Sequence, residues 1–211
     1  MCSSAAGLYR RRIAPWLVHV ACSGRTFRRM RAQIVPLGAG TIVDGGCGSG
    51  TNFAHHDAAR AARVIAVDPA ASALAMARRR AARLPFAVDF VEAGAERLPL
   101  ETASADTAIL AYTLCTVPEP AEALAEIRRV LKPGGRLLFL EHGVSDRPRA
   151  AAFQRRLDRA WGVVAAGCHL TRSPERLIAE AGFAVTELHR APFPLWLWPL
   201  GLHHGGYAVP R

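Results

Sequence analysis

The sequence predicts an α/β fold: a seven-stranded, mostly parallel sheet with helices on both faces. Three features carry that reading. Short apolar runs such as Thr41–Asp44 and Arg63–Asp68 alternate with stretches of helical periodicity, the pattern of βαβ units. The first run empties into a turn holding Gly45, Gly46, Gly48 and Gly50. The second ends on Asp68, followed by Pro69, 24 positions after the acid that ends the first. Ligands of open parallel sheets bind at the carboxyl ends of the strands, so both acids fall where a site is expected.

The elements follow in order. Residues 8–36 read as helical, with Leu8, Ile13, Trp16, Leu17 and Val20 as apolar positions and Arg25, Arg28, Arg29 and Arg31 behind them. Residues 1–38 therefore form an N-terminal arm, and 39–211 one globular domain. Thr41–Asp44 is the first strand, and a helix is predicted from about Gly50 to Arg60. Arg63–Asp68 is the second strand, its last residue held extended by Pro69. Ser72–Arg83 is helical, Phe86–Glu92 a third strand and Ala105–Tyr112 a fourth. Pro118-Glu119-Pro120 opens a helix to Val130, prolines and acids both suiting a first turn. Lys132-Pro133-Gly134-Gly135 ends it, and Leu137–Glu141 is a fifth strand. Helices are predicted over 149–166 and 173–181, the second with Ser173 as N-cap. Phe183–Ala191 and a short Gly206–Val209 complete the sheet.

Composition narrows the function. The chain has 211 residues, 51% hydrophobic and 21% charged, which suits one globular domain with a full core. Its formal charge of +10 raises nucleic acid as a partner, yet the arginines spread over many helical faces and Lys132 is the single lysine. A solvated surface is the better reading, and no nucleic acid is expected. Five cysteines, odd in number and without a C-x-x-C pair, indicate neither a disulfide framework nor a zinc site. His55-His56 and His203-His204 tempt a metal reading, but adjacent side chains on one element diverge. No metal is expected. The uncharged apolar stretches Ile13–Cys22 and Ala191–Leu202 are shorter than the ~18–20 residues of a membrane span. Ile13–Cys22 leaves peripheral membrane contact open as an interfacial helix. Arg10-Arg11-Arg12 before it imitates a signal peptide, but Pro15 and His19 within it argue against export, so a cytoplasmic location is expected.

The glycine turn is a nucleoside cradle. Glycine suits backbone with φ > 0 or pressed against a ligand, and a helix start behind it offers free N–H groups. A dinucleotide fold uses G-x-G-x-x-G, whereas this chain has Asp44-x-Gly46-x-Gly48-x-Gly50. An anion at Asp44 would repel a pyrophosphate but suit the amino and sulfonium groups of S-adenosylmethionine (SAM). Three later stretches agree: Ala93–Leu100 after strand three, Tyr112-Thr113-Leu114-Cys115 at the end of strand four, and Arg129–Leu137 as a helix–turn–strand unit.

In this combination and order, over about residues 40–190, the chain resembles the class I SAM-dependent methyltransferases. That resemblance implies a Rossmann-like fold, SAM as cofactor and S-adenosylhomocysteine as product. It implies that Gly46, Cys47, Gly48 and Gly50 lie under the methionine moiety with Asp44 near its amino group. Asp68 and Pro69 would take the ribose, Ala95 and Glu96 would flank the adenine, and Tyr112 and Thr113 would border the reacting methyl. Related quinone and lipid enzymes often carry Asp where Gly94 stands, so Glu96 or a backbone group would replace that adenine contact.

The acceptor is read from the C-terminal half. Leu114-Cys115-Thr116-Val117, Leu138–His142, Gln154-x-x-Leu157-Asp158-x-Ala160-Trp161, Gly167–Arg172 and Gly206–Val209 are similar to the methyltransferase-like thiol S-methyltransferases. A small hydrophobic thiol is the implied acceptor, with C-methylation of a quinone precursor or N-methylation of a phospholipid head group as alternatives. A non-catalytic RNA- or nucleotide-binding module is the alternative of another class. Those thiol enzymes carry a hydrophobic N-terminal anchor, whereas Tyr9–Pro15 resembles the opening of soluble quinone and phospholipid enzymes, so membrane attachment is not carried over. His142 could take the proton of an incoming thiol, its pKa lying near neutrality, or could orient Glu141 or a loop carbonyl. Cys115 could touch substrate or pack in the core. Arg172 could pair with Asp158 or with an acidic substrate group. Trp161 joins them as an acceptor-side residue, and Trp16 and Trp196 are expected to roof an apolar pocket, or else to pack on each other or form a dimer contact. The molecule is expected to be a monomer or homodimer.

Overall fold

The apolar runs assemble into one seven-stranded sheet in a computed structural model that describes residues 20, 22–165, 167–193 and 200–211. Trp16 and Trp196, and with them the expected roof of the pocket, lie outside the described residues. Helix α1 (Arg25–Ile34) leads into β1 (Gly40–Gly45), β2 (Ala61–Val67), α2 (Ala71–Ala81), β3 (Ala87–Val91) and β4 (Ala105–Ala111). Then come α3 (Pro120–Val130), β5 (Leu131–Gly143), α4 (Pro148–Val164), α5 (Pro174–Glu180), β6 (Phe183–Pro192) and β7 (Leu202–Pro210). The strand order is β3-β2-β1-β4-β5-β7-β6. All neighbours are parallel except β7, which runs antiparallel to both β5 and β6. Among the described residues no helix is long and apolar enough to cross a membrane.

Strand alternation divides the core into two layers. Leu137 and Phe139 of β5, with Ala108 and Leu110 of β4, pack against Leu124 and Ile127 of α3 and Ile178 of α5. Leu138 and Leu140, with Ile109 and Ala111, face the other way onto Ile34 of α1 and Leu74 and Ala77 of α2. The arm's described end is thus part of a core layer: Phe27, Arg31 and Ile34 of α1 are all buried. At the amino end of the sheet Asp106 accepts from Thr41 N (2.9 Å) and pairs with Lys132 Nζ (2.8 Å), tying β1, β4 and β5 together.

Three expectations change. No α-helix follows the glycine turn; residues 50–60 form turns around one 3-10 segment, Phe53–His55. Asn52 and Asp57, both turn formers, and Gly50 at φ +76° leave too short a periodic run to propagate a helix. Strand β7 is longer than Gly206–Val209, because Leu202–Gly205 pair in register with Leu140–Gly143. Ser173 precedes α5 but makes no side-chain capping bond, and Pro174 sits in the first turn.

The narrow fit of β7 gives a test. A Cβ on Gly206 would run into the Glu187 carbonyl of β6. Gly206→Ala should lower unfolding free energy by about 2 kcal/mol or more, as overpacking at a backbone does. Denaturant midpoints of the two proteins measure it; an unchanged midpoint would show that β6 yields freely.

Candidate active site

The turn after β1 is shaped by two glycines. At Gly46 (φ +69°) a Cβ would lie 2.5 Å from Thr113 Cγ2, so only glycine lets the turn close on the end of β4. Gly48 (φ +54°) has no heavy atom within 4 Å of its would-be Cβ and faces open space. With no helix behind the turn, its N–H groups are satisfied from the sheet: Gly46 N and Cys47 N both donate to Val67 O. Gly48 N donates to Asp68 Oδ2 and Ala70 N to Asp68 Oδ1, each at 2.9 Å. Burial pushes the Asp68 carboxyl up against the pull of those two donors. Arg80 of α2 holds the turn from outside through the Ser49 carbonyl (2.8 Å).

Asp44 is fully buried. Its Oδ1 accepts from Asn52 Nδ2 (2.8 Å), and Asn52 Oδ1 accepts from Arg31 Nε (2.9 Å). Arg31, itself buried on α1, also donates to the Cys22 carbonyl (2.7 Å) and lies 5.0 Å from the Tyr112 ring centroid. Asp44 and Arg31 thus compensate each other through an amide rather than in a direct ion pair. Asp44 Oδ2 has no partner among the described residues. Burial raises the Asp44 pKa from 3.8 to about 7, with Asn52 and Arg31 opposing.

A second buried carboxylate builds the other wall. Glu141 of β5 accepts from Thr113 N (2.7 Å) and Leu114 N (2.9 Å) at Oε1, and from Cys115 N (3.3 Å) at Oε2. These three successive amides converge because Tyr112 takes φ +60°, an uncommon value for a non-glycine residue. Arg172 Nη1 donates to the carbonyls of Leu114 (2.5 Å) and Val117 (2.6 Å), so it braces this loop and pairs with neither Asp158 nor an open site. Asp158 instead accepts from His169 Nδ1, Leu170 N and Thr171 N. Tyr112 OH is 3.1 Å from His203 Nδ1, whose ring stacks on Phe193 at 3.5 Å.

Between the two walls, where the sheet order reverses across β1 and β4, lies a cavity of about 520 Å³. That falls within the ~300–1,000 Å³ of small-molecule sites. Gly46, Cys47, Gly48, Asp68 and Pro69 line it from the first two loops, and Ala95, Glu96, Tyr112 and Thr113 from the next two. Asp44 and Gly50 stand behind that wall. A Cβ on Gly94 would meet Glu96 Oε2 at 2.6 Å, so Glu96 fills the room a side chain at 94 would need. Cys115, His142, Trp161 and Arg172 do not line the cavity. Thr116, Val117, Gly167 and His169 do, and so do Arg31 and Asn52, which the sequence reading missed as site residues. Asn52 sits eight positions after Asp44, a spacing that could have signalled a loop partner had the segment not looked helical.

His142 lies behind the Thr116 end, its Nε2 3.0 Å from Cys168 Sγ. It does not orient Glu141, which is occupied by backbone amides. The closeness of the two thiols pushes Cys115 up and Cys168 down; His142 lowers Cys168 further, and burial opposes. Burial by itself would lower His142, but Cys168 and Glu141 hold it above the ordinary value.

This sheet order, with its antiparallel β7 and a glycine turn facing an acid at the end of β2, defines a class I methyltransferase architecture. Solved structures share it at low identity. A SAM-dependent methyltransferase of Thermotoga maritima superposes with TM-score 0.69 at 21% identity, covering 97% of this chain and 98% of that one. One of Leishmania major gives TM-score 0.69 at 19% identity, over 96% and 81%. Residues 43–139 match the methyltransferase-domain family model. The thiol S-methyltransferase TMT1B of Rattus norvegicus is 35% identical over 80% of this chain and 70% of its own. The human TMT1B is 33% identical over 87% and 76%. The chain belongs to the SAM-dependent methyltransferases, in the family of these thiol S-methyltransferases.

The burial of Asp44 has a measurable sign. A folded-state pKa raised to about 7 means the folded protein holds this proton more tightly than the unfolded chain. Its contribution to stability therefore falls as pH rises from about 4 to about 7. Glu141, raised from 4.5 to about 7 by burial, acts in the same sense. His56 and His203, lowered by burial to about 4 and about 3, act oppositely over the same range. The test is a difference: wild-type stability minus that of Asp44→Asn should decline between about pH 4 and pH 7 and level off above. A flat difference in urea midpoints would place Asp44 at an ordinary carboxylate pKa.

Proposed function

We propose that this chain transfers the methyl group of SAM to the sulfur of a small, fairly hydrophobic thiol, releasing a methyl thioether and S-adenosylhomocysteine. The observation that carries the acceptor is where the likeness lies. The thiol S-methyltransferases match 80–87% of the chain, including the 114–117 and 167–172 loops that wall the far end of the cavity. Quinone C-methyltransferases match 42–51% of it. That wider coverage favours a thiol over a quinone precursor as the acceptor.

The residues present fit SAM. Gly48 leaves open space at the turn, and Asp68 presents a partly desolvated carboxylate suited to the ribose hydroxyls. Glu96 stands in the space beside Gly94, where an adenine amino group can be met. Asp44, whose Oδ2 is unpaired among the described residues and which lies behind Asn52 of the wall, lends negative potential where a cationic ligand's amino group belongs. SAM supplies a methyl group already activated on a sulfonium. The protein's own task is to hold the acceptor in line and keep water out, which can be worth ~7–11 kcal/mol for a well-oriented pair. Tyr112, Thr113 and Thr116 border that reaction space. His142, off the wall, is assigned no direct contact with the acceptor.

Incubation with labelled SAM and a panel of alkyl thiols, phenols, quinols and amines tests the reading. Methyl thioether should appear from the thiols; turnover of quinols or amines alone would reject it. Asp68→Ala should weaken SAM binding about 10–100-fold by calorimetry, the loss of one or two bonds to a charged acceptor. Affinity unchanged by that substitution would remove Asp68 from the ribose site.

A further inference from the structure

Two of the five cysteines scattered along the sequence, Cys115 and Cys168, meet behind the Thr116 wall. Cys115 follows β4, His142 is the penultimate residue of strand β5, and Cys168 lies in the loop after α4. Cys115 Sγ, His142 Nε2 and Cys168 Sγ all lie within 4.8 Å of one another. Each is placed by backbone bonds independent of the cluster. Cys115 N is held by Glu141, and Cys115 O accepts from His169 N at 2.7 Å, next to Cys168. His142 is fixed opposite His203 in the β5–β7 ladder. Cys115 and His142 are buried and Cys168 half-buried.

Two sulfurs and an imidazole nitrogen at these separations match a metal tripod. Zn–S bonds of ~2.3 Å and Zn–N bonds of ~2.0–2.1 Å in tetrahedral array place donors roughly 3.5–3.8 Å apart. Small movements of three side chains would close the set. Its softness selects zinc, or another thiophilic transition metal, over magnesium or calcium. The nearby carboxylates are already engaged, Glu141 by three amides and Asp158 by His169 and two amides. Binding through Nε2 puts the imidazole proton on Nδ1, which has no other partner among the described residues.

Three donors leave a tetrahedral ion one position short, as in catalytic rather than structural zinc sites. The cavity lies on the other side of the Thr116 wall from the cluster. Cys115 Sγ is 3.4 Å from Thr116 Oγ1, and Thr116, Gly167 and His169, the chain neighbours of Cys115 and Cys168, line that cavity. We propose that Cys115, His142 and Cys168 bind one zinc ion whose fourth position receives the sulfur of the acceptor thiol. The second half of this proposal rests on the thiol reading above; the metal site does not. On binding, the thiol gives its proton to solvent and its sulfur remains a metal-held thiolate. That sulfur then forms the new C–S bond as the methyl's bond to the donor sulfonium breaks, the electron pair staying on the donor sulfur. The neutral thioether is a poorer ligand and leaves. His142 so becomes a metal ligand instead of a proton carrier.

The test uses the full chain, reduced and stripped with a chelator, then titrated with Co²⁺ as a spectroscopic stand-in for zinc. About one Co²⁺ per chain should bind, with thiolate-to-cobalt charge-transfer bands and the visible bands of a four-coordinate ion, and Zn²⁺ should displace it. Cys115→Ser and Cys168→Ser should each weaken binding more than about 100-fold, since even outer partners of ligands are worth ~10–100-fold. Cys2→Ser should not. Calorimetric SAM binding by the serine variants checks that they are folded. Absence of stoichiometric Co²⁺ binding by the wild type overturns the proposal, as does a cobalt spectrum that survives in the Cys115→Ser/Cys168→Ser double variant. Adding a small alkyl thiol to the cobalt protein should shift the bands; no shift removes the fourth-ligand role. A clean cobalt site in a protein that methylates no thiol would reject the thiol reading and leave the metal site standing.

Discussion

The site depends on one buried carboxylate. Glu141 sits near the end of the interior strand β5 and gathers the amides of Thr113, Leu114 and Cys115, three consecutive residues that no regular element would satisfy. Left unpaired in the interior, each amide would cost ~1–3 kcal/mol. The carboxylate in turn is expensive to bury, and its pKa rises to about 7 even with three donors opposing the rise. Neither half is tenable without the other. Their union forces Tyr112 into left-handed backbone and lays residues 112–117 across the mouth of the sheet. Arg172 fastens the carbonyl side of the same loop, so the loop is held from both its donor and its acceptor atoms.

On the cofactor side the logic is similar but is left incomplete. Asp44 and Arg31 are both buried, and Asn52 passes hydrogen bonds between them. A direct pair would satisfy each charge more fully; the amide link leaves Asp44 Oδ2 without a partner among the described residues, and Asn52 and Arg31 on the cavity wall. Burying a carboxylate with only one oxygen satisfied costs stability, which is why burial raises its pKa to about 7. The same arrangement docks α1 over the site, because Arg31 also binds the Cys22 carbonyl and lies near Tyr112.

The sheet was legible because its signals are local and redundant: β-branched runs, glycines, and an acid at each of the first two strand ends. Asp68, Pro69 and the Ala95-Glu96 turn were legible for the same reason, since each lies at a strand's carboxyl end. The residues 50–60 misled. Ala and His there permit a helix, and only the tertiary demands of Asn52 on Asp44 and of Phe53 in the core select turns. Arg31 was hidden by abundance, one arginine among many on an arm whose burial depends on β5 and β7 arriving from far along the chain. Arg172 and His142 were picked out by residue type, but type does not tell a brace from a ligand.

On the proposed thiol and metal readings, two neighbouring residues of β5 serve both halves of the chemistry. Glu141 fixes the loop that bears Thr113 toward the cofactor side and Thr116 toward the acceptor side. His142, the next residue, meets Cys168 beside Cys115, the last amide that Glu141 holds. Any shift of Glu141 would move Cys115 and the cavity wall together, so the distance between the methyl site and the sulfur cluster is set by a single strand end. That coupling is what an in-line transfer between two ligands requires, because the gain from positioning is lost if the two subsites drift by an ångström. The antiparallel β7, pressed against β5 through His142 and His203, keeps that strand end from moving.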